Sequence, residues 1–147
     1  MNPVTELSTG VLTDVLLQMQ PRELEHYRKT YLSPIADMTF PEYYLSILSE
    51  HSLSRSTAAA GSGLEVHYAY QIMSGTRRPG RDKVICLCIG GRFSILETNR
   101  ALTRAYFAPL YPKRLRDAVI MLAVSRGFSS VWQVNELLAE HGLDLLT

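Results

Sequence analysis

Side chains suited to recognising nucleic acid gather in one stretch of this chain, Leu53 to Gly90, LSRSTAAAGSGLEVHYAYQIMSGTRRPGRDKVICLCIG. Gln71 carries a carboxamide that can offer adenine a paired donor and acceptor. His67 is a further candidate donor to a groove. Arg77, Arg78 and Arg81 carry planar guanidinium forks that match phosphate. This is chemistry of hydrogen bonds and charge, with no bond made or broken. It works only if one helix holds Val66, His67, Tyr68, Tyr70 and Gln71 on its open side and a basic loop follows it.

The local signals supply those elements. Ser54 is an N-cap residue, because its hydroxyl can accept from an orphan amide of the next turn. A short helix is predicted from Arg55 to Ala60. Gly63 then stands where a sharp turn needs a left-handed residue at no steric cost. A second helix is predicted from Val66 to Met73, with Gly75 ending it in the left-handed position beyond the last turn. Ala69, Ile72 and Met73 recur at the three-and-four spacing of a buried face. Two short helices around a glycine turn are the pattern of a DNA-reading helix-turn-helix.

The stretch from about Thr39 to Ala105 resembles the lambda-repressor-like, or XRE, family of helix-turn-helix regulators. The resemblance rests on Ala59, on Gly63 followed by Leu64, and on Ala69, Ile72 and Gly75. The basic-proline run Arg77, Arg78, Pro79 and the apolar Val84, Leu87 and Ile89 complete it. It implies that Val66, His67, Tyr68 and Gln71 meet base edges in the major groove. It also implies that Arg55, at the start of the motif's first helix, meets phosphate or a base edge. The chain departs from the family at Ala58, where Leu is usual, and at Ser62, where an apolar residue is usual. Both departures predict a thinly packed first helix. Gly61 adds a cost of roughly 1 kcal/mol against Ala.

Charge is distributed in keeping with this. The formal net charge is only +1, which alone is weak support for a nucleic-acid partner. Residues 1–54 carry three Lys or Arg against seven Asp or Glu, a net of −4, while residues 55–92 carry six against two, a net of +4. Residues 93–147 carry six against five. The positive charge therefore concentrates in the candidate motif, as phosphate neutralisation requires.

The remaining elements read as helices, with no strand. Asn2 and Pro3 make a helix-opening pair, followed by the apolar stripe Leu12, Val15, Leu16 and Met19. Pro21 begins a second short helix carrying Leu24, Tyr27 and Tyr31, and Pro34 ends it. Thr39 to Glu42 is a capping box that opens a helix with Phe40, Tyr44, Ile47 and Leu48 facing inward. A helix from Arg81 to Ile89 follows the motif. Ser94 to Glu97 is a second capping box, opening a helix to about Tyr106. Ala108 to Pro112 is a turn. Lys113 to Arg126 is predicted helical with Leu115, Val119, Leu122 and Ala123 on its apolar side and Gly127 as its stop. The last helix runs from about Val131 to His141, with Val131, Val134, Leu137 and Leu138 apolar and Gly142 after it. No fixed-period repeat is visible.

The expected architecture is all-α, with about eight helices: a lambda-repressor-like helix-turn-helix core with helical extensions at both ends. The expected division is an extension over residues 1–38, a DNA-binding domain over 39–107 and a second extension over 108–147. That second extension, with Leu137, Leu138 and Trp132, either supplies the contact of a homodimer or covers the core of its own chain. The acidic first extension either packs on the core or recruits a protein partner.

Other chemistry is excluded residue by residue. His26, His51, His67 and His141 are scattered and form no ligand pair; apart from His67 they read as surface or capping residues. Cys86 and Cys88 have no further cysteines to complete a zinc site and read as buried free thiols. Gly61 to Gly63 lacks the Lys and Ser/Thr of a phosphate-binding loop and reads as a turn. In each of the pairs Tyr43–Tyr44 and Tyr68–Tyr70, one ring is expected in the core and one at the surface. No nucleophile has a neighbouring base, so no enzyme activity and no cofactor is expected. No apolar run spans a bilayer and the start lacks a signal-peptide pattern, so a cytoplasmic protein without membrane contact is expected. The leading expectation is a transcriptional regulator that binds double-stranded DNA as a homodimer. The alternative is a protein-interaction adaptor, or an antitoxin, built on a helix-turn-helix fold that has lost DNA reading.

Overall fold

A computed structural model describes residues 8–32 and 37–147. The opening pair Asn2–Pro3 and the stop at Pro34 lie outside the described residues. Among those residues there are nine α-helices and no strand, so the all-α class is as the periodicity indicates. The chain divides into two compact units, residues 1–38 and residues 39–147.

In the first unit, α1 (Thr9–Leu17) is capped by Ser8, whose side chain accepts from the Val11 amide. A tight turn at Pro21–Glu23 leads into α2 (Leu24–Tyr31), and no residue of α1 or α2 is buried. Tyr27 and Tyr31 pack ring to ring at 5.3 Å. Arg28 pairs with Asp37 at 3.4 Å.

The second unit contains α3 (Phe40–Glu50), α4 (Arg55–Ser62), α5 (Val66–Ser74), α6 (Arg81–Gly90), α7 (Ile95–Arg104), α8 (Leu115–Ser125) and α9 (Val131–Glu140). Its axis is α6, in which every residue from Val84 to Gly90 is buried. A helix apolar on all sides must be surrounded, and α4, α7 and α9 all pack on this one. From α3, the Tyr44 hydroxyl donates to the Leu87 carbonyl at 2.7 Å, and the Tyr44 ring stacks on Phe93 at 5.0 Å.

Three helix-to-helix corners share one construction. Ser52, Arg92 and Gly127 each adopt a left-handed backbone, with φ of 56°, 58° and 80°. The amide after each reaches back to the preceding helix: Leu53 to the Leu48 carbonyl, Phe93 to Cys88 and Phe128 to Ala123, at 2.9 to 3.1 Å. This is the Schellman closure, in which the next apolar side chain folds onto the helix just ended. Ser54 and Ser94 then cap the following helices, and Ser94 with Glu97 makes the full reciprocal box. At Thr39 the box is altered. The Glu42 carboxylate takes the Thr39 hydroxyl at 3.0 Å, while the Glu42 amide bonds the same hydroxyl.

Several expectations on packing change. Leu115 and Leu122 lie 60% and 50% exposed, and the buried row of α8 is Asp117, Val119, Ile120 and Ala123. The cause is Asp117, whose carboxylate is drawn inward by Arg81 and by the Tyr111 amide. Tyr43 and Tyr44 are both fully buried, whereas Tyr68 and Tyr70 are both half-buried. Gly61 and Ser62 belong to α4 instead of the turn, which consists of Gly63 to Glu65. Buried Ser62 donates to the Ala59 carbonyl and accepts from the Leu64 amide, so its polarity is satisfied within the packed side of α4. His51 joins three elements: its ring lies 3.1 Å from the Gly91 carbonyl and 3.1 Å from a Glu97 carboxylate oxygen.

Candidate nucleic-acid interface

The turn between α4 and α5 is set by Gly63, with φ of 71°, and α5 ends at Gly75, with φ of 84°. Ala69, Ile72 and Met73 are fully buried and anchor α5 against the rest of the unit. That anchoring decides the opposite face, where Val66, His67 and Gln71 are exposed and Tyr68 and Tyr70 are half-buried. Glu65 caps α5, its carboxylate accepting from the Tyr68 amide at 2.9 Å. Hydrogen bonds from the His67 and Tyr68 amides hold this exposed carboxyl below its usual range.

Cations stack on the tyrosines of α5. The Arg77 guanidinium lies 5.4 Å and the Lys83 ammonium 5.9 Å from the Tyr68 ring centre, and Arg55 lies 5.7 Å from that of Tyr70. Such contacts contribute roughly 0.5–1 kcal/mol at exposed sites and hold long side chains in place. Arg77 and Arg78 are exposed, in a loop whose Thr76 and Arg77 amides both bond the Gln71 carbonyl. Between residues 55 and 92 the only carboxylates are Glu65 and Asp82. Asp82 is already matched by Arg116, at 2.8 Å. Within that stretch, Glu65 is thus the carboxylate left without an ion pair.

The structure sets Arg77 against Tyr68 and Arg55 against Tyr70, leaves Val66, His67, Gln71 and Arg78 exposed, and separates Arg81 from them. Arg81 turns inward to both oxygens of Asp117, at 3.2 and 2.9 Å, and to the carbonyls of Ala108 and Pro109. It braces α6 to α8 and to the segment before α8. Lys83, which the pattern of α5 alone does not single out, joins the face through Tyr68.

Beside the start of α5 lies a cleft of about 560 Å³, lined in part by Glu65, Tyr68, Lys83, Trp132 and Asn135. Trp132, the single tryptophan of the chain, is 68% exposed there. Cys86 and Cys88 are buried free thiols. Burial pushes the Cys86 thiol up to about 12 and raises that of Cys88 further, so neither supplies thiolate at neutral pH. Among the described residues no group of three His, Cys, Asp or Glu could hold a metal ion, and no helix is long and apolar enough to cross a membrane. No family model, curated protein or solved structure matches the chain.

Proposed function

We propose that this protein binds duplex DNA through α5 and acts as a transcriptional regulator of the lambda-repressor-like helix-turn-helix kind. The observation that carries this reading is the outward face of α5. It offers Val66, His67 and Gln71 to solvent, and cations are stacked on both of its tyrosines. Gln71 reads a base edge, most directly adenine, and His67 and Tyr68 add polar contacts beside it. Arg77 and Arg78 neutralise phosphates and set the register, with Arg55 and Lys83 flanking them.

Selection of bound sequences from random duplex DNA tests this reading, and enrichment of a defined motif is the expected result. Replacing Arg77 and Arg78 together by Ala weakens binding to all duplexes alike and flattens the salt dependence by roughly 0.9 per lost phosphate contact. Gln71→Ala relaxes preference at one or two base pairs, a loss of about 1–3 kcal/mol of discrimination, with non-specific affinity kept. A second reading draws on exposed Trp132, which lines the cleft together with Tyr68, since aromatic side chains are enriched where proteins meet. In that case the face takes a protein partner, and no duplex sequence is enriched.

A further inference from the structure

The hairpins α6–α7 and α8–α9 repeat one another in detail. Residues 81–94, RDKVICLCIGGRFS, and 116–129, RDAVIMLAVSRGFS, are identical at seven of fourteen positions. The left-handed corners correspond, Arg92 with Gly127 and Tyr106 with Gly142, the latter two at φ of 66° and 67°. So do the hydrogen bonds. Asn99 accepts from the Leu110 amide at 2.8 Å, and Asn135 accepts from the Leu146 amide at 2.8 Å. Arg81 donates to the carbonyls of Ala108 and Pro109, and Arg116 donates to those of Asp144 and Leu145.

The ion pairs between the two copies run crosswise. Arg81 of the first binds Asp117 of the second, and Arg116 of the second binds Asp82 of the first. In an open stack of repeats, each arginine would reach forward and the last would find no partner. Reciprocal contacts are instead the mark of a two-fold, self-complementary interface. Val134 and Leu138 of the second copy are fully buried within this same chain. The second hairpin thus occupies the place that an equivalent hairpin from another subunit would take. Only the first copy is preceded by the α4–α5 pair, so the closed unit carries one reading helix.

We infer that this internal pairing replaces a homodimer: the protein is a monomer, and its nucleic-acid target is a single asymmetric duplex site. The monomer stands on the repeat alone; the target rests on the DNA-binding reading above. DNA sites mirror the symmetry of what binds them, and a two-fold dimer would demand two half-sites about 34 Å apart.

Sedimentation equilibrium of the full chain at micromolar concentration without DNA is expected to return the mass of one chain. A dimer mass overturns the inference. The duplexes enriched by selection are then examined for symmetry and for stoichiometry by sedimentation of the complex. One chain on a non-palindromic site is the expected result. Two chains on a palindrome overturn the inference and leave DNA binding standing. A monomer that enriches no duplex overturns the DNA reading and the target with it, and upholds the internal pairing.

Discussion

Gly61 of α4 and Gly90 of α6 face each other at backbone contact. A Cβ built on Gly61 would stand 2.9 Å from the Gly90 Cα and 2.5 Å from the Ser129 carbonyl oxygen. A Cβ on Gly90 would fall on the Ala58 carbonyl oxygen and 2.7 Å from the Ser62 amide nitrogen. The small residues of α4 therefore do not leave it thinly packed. They let it sit against α6 by its main chain, with Ala58 and Ala59 almost wholly buried.

Gly90→Ala is expected to destabilise the protein by at least about 1–3 kcal/mol, the usual cost of overpacking. The atoms it would strike are backbone and cannot rotate away. Gly10, in α1, has nothing near its absent Cβ, so Gly10→Ala is expected to be neutral or mildly stabilising through helix propensity. Urea denaturation of the two variants decides between them. Equal midpoints would mean that α4 can move off α6 at no cost.

Local signals were legible from the chain because each acts over a few residues. Ser54, Ser94, Gly63, Gly75, Gly127 and Gly142 all do in the structure what their chemistry prescribes. The open face of α5 was legible for a related reason, since Ala69, Ile72 and Met73 fix its opposite side. What required three dimensions was hidden. The stripe through Leu115 and Leu122 is as good a helical period as the row through Ile120, and only the Arg81–Asp117 pair decides which turns inward. The same pair withdraws Arg81 from the candidate interface, although its neighbours Arg77 and Arg78 stay exposed. Lys83 reaches that interface across space. The repeat is faint in the sequence because half of the fourteen aligned positions differ. Ser130 also shifts the later correspondences, such as Asn99 with Asn135, from a separation of 35 residues to 36.

The crossed ion pairs make acid stability a property of Asp82 and Asp117. The Arg116 guanidinium, against the opposing effect of burial, holds the Asp82 carboxyl below its usual value of 3.8. At Asp117 burial pushes upward, and the hydrogen bonds from Arg81 and the Tyr111 amide outweigh it, leaving that carboxyl lowered too. Both pKa values are depressed in the folded state, so the stabilisation is complete above the unfolded value. It is lost as pH falls below about 3.8 toward the folded values. Asp117→Asn, at the more buried site, is expected to cost on the order of 2–3 kcal/mol at neutral pH, as for a lost hydrogen bond to a charged group. It should also flatten the acid limb of the stability curve. An unchanged acid limb in the Asp82→Asn, Asp117→Asn double variant would assign acid unfolding to other groups.

Arg92 and Gly127 hold corresponding corners with different residues. A left-handed backbone costs a residue with a Cβ roughly 1 kcal/mol relative to glycine. Arg92→Gly is therefore expected to hold or raise the thermal midpoint, and Gly127→Ala to lower it, although nothing lies within 4 Å of the absent Gly127 Cβ. Opposite signs in a calorimetric scan are the check. A loss from Arg92→Gly as large as that from Gly127→Ala would show that the Arg92 side chain contributes more than its backbone costs.

On α9, neighbouring stretches of the same helix have opposite roles. Leu138 is fully buried, and Trp132, six residues earlier, is 68% exposed at the cleft beside α5. Of the two roles open to α9, a contact between subunits or cover for its own core, Leu138 fills the second. Truncating a buried leucine to Ala costs about 2–5 kcal/mol, and a glutamate there adds an unpaired buried charge. Leu138→Glu is accordingly expected to unfold residues 39–147 instead of yielding a folded variant with altered assembly. Trp132→Ala is expected to change stability by no more than about 0.5 kcal/mol, as at other exposed positions. Circular dichroism of both variants reads the outcome directly. A folded Leu138→Glu variant would mean that α9 can detach while the remaining helices stand without it.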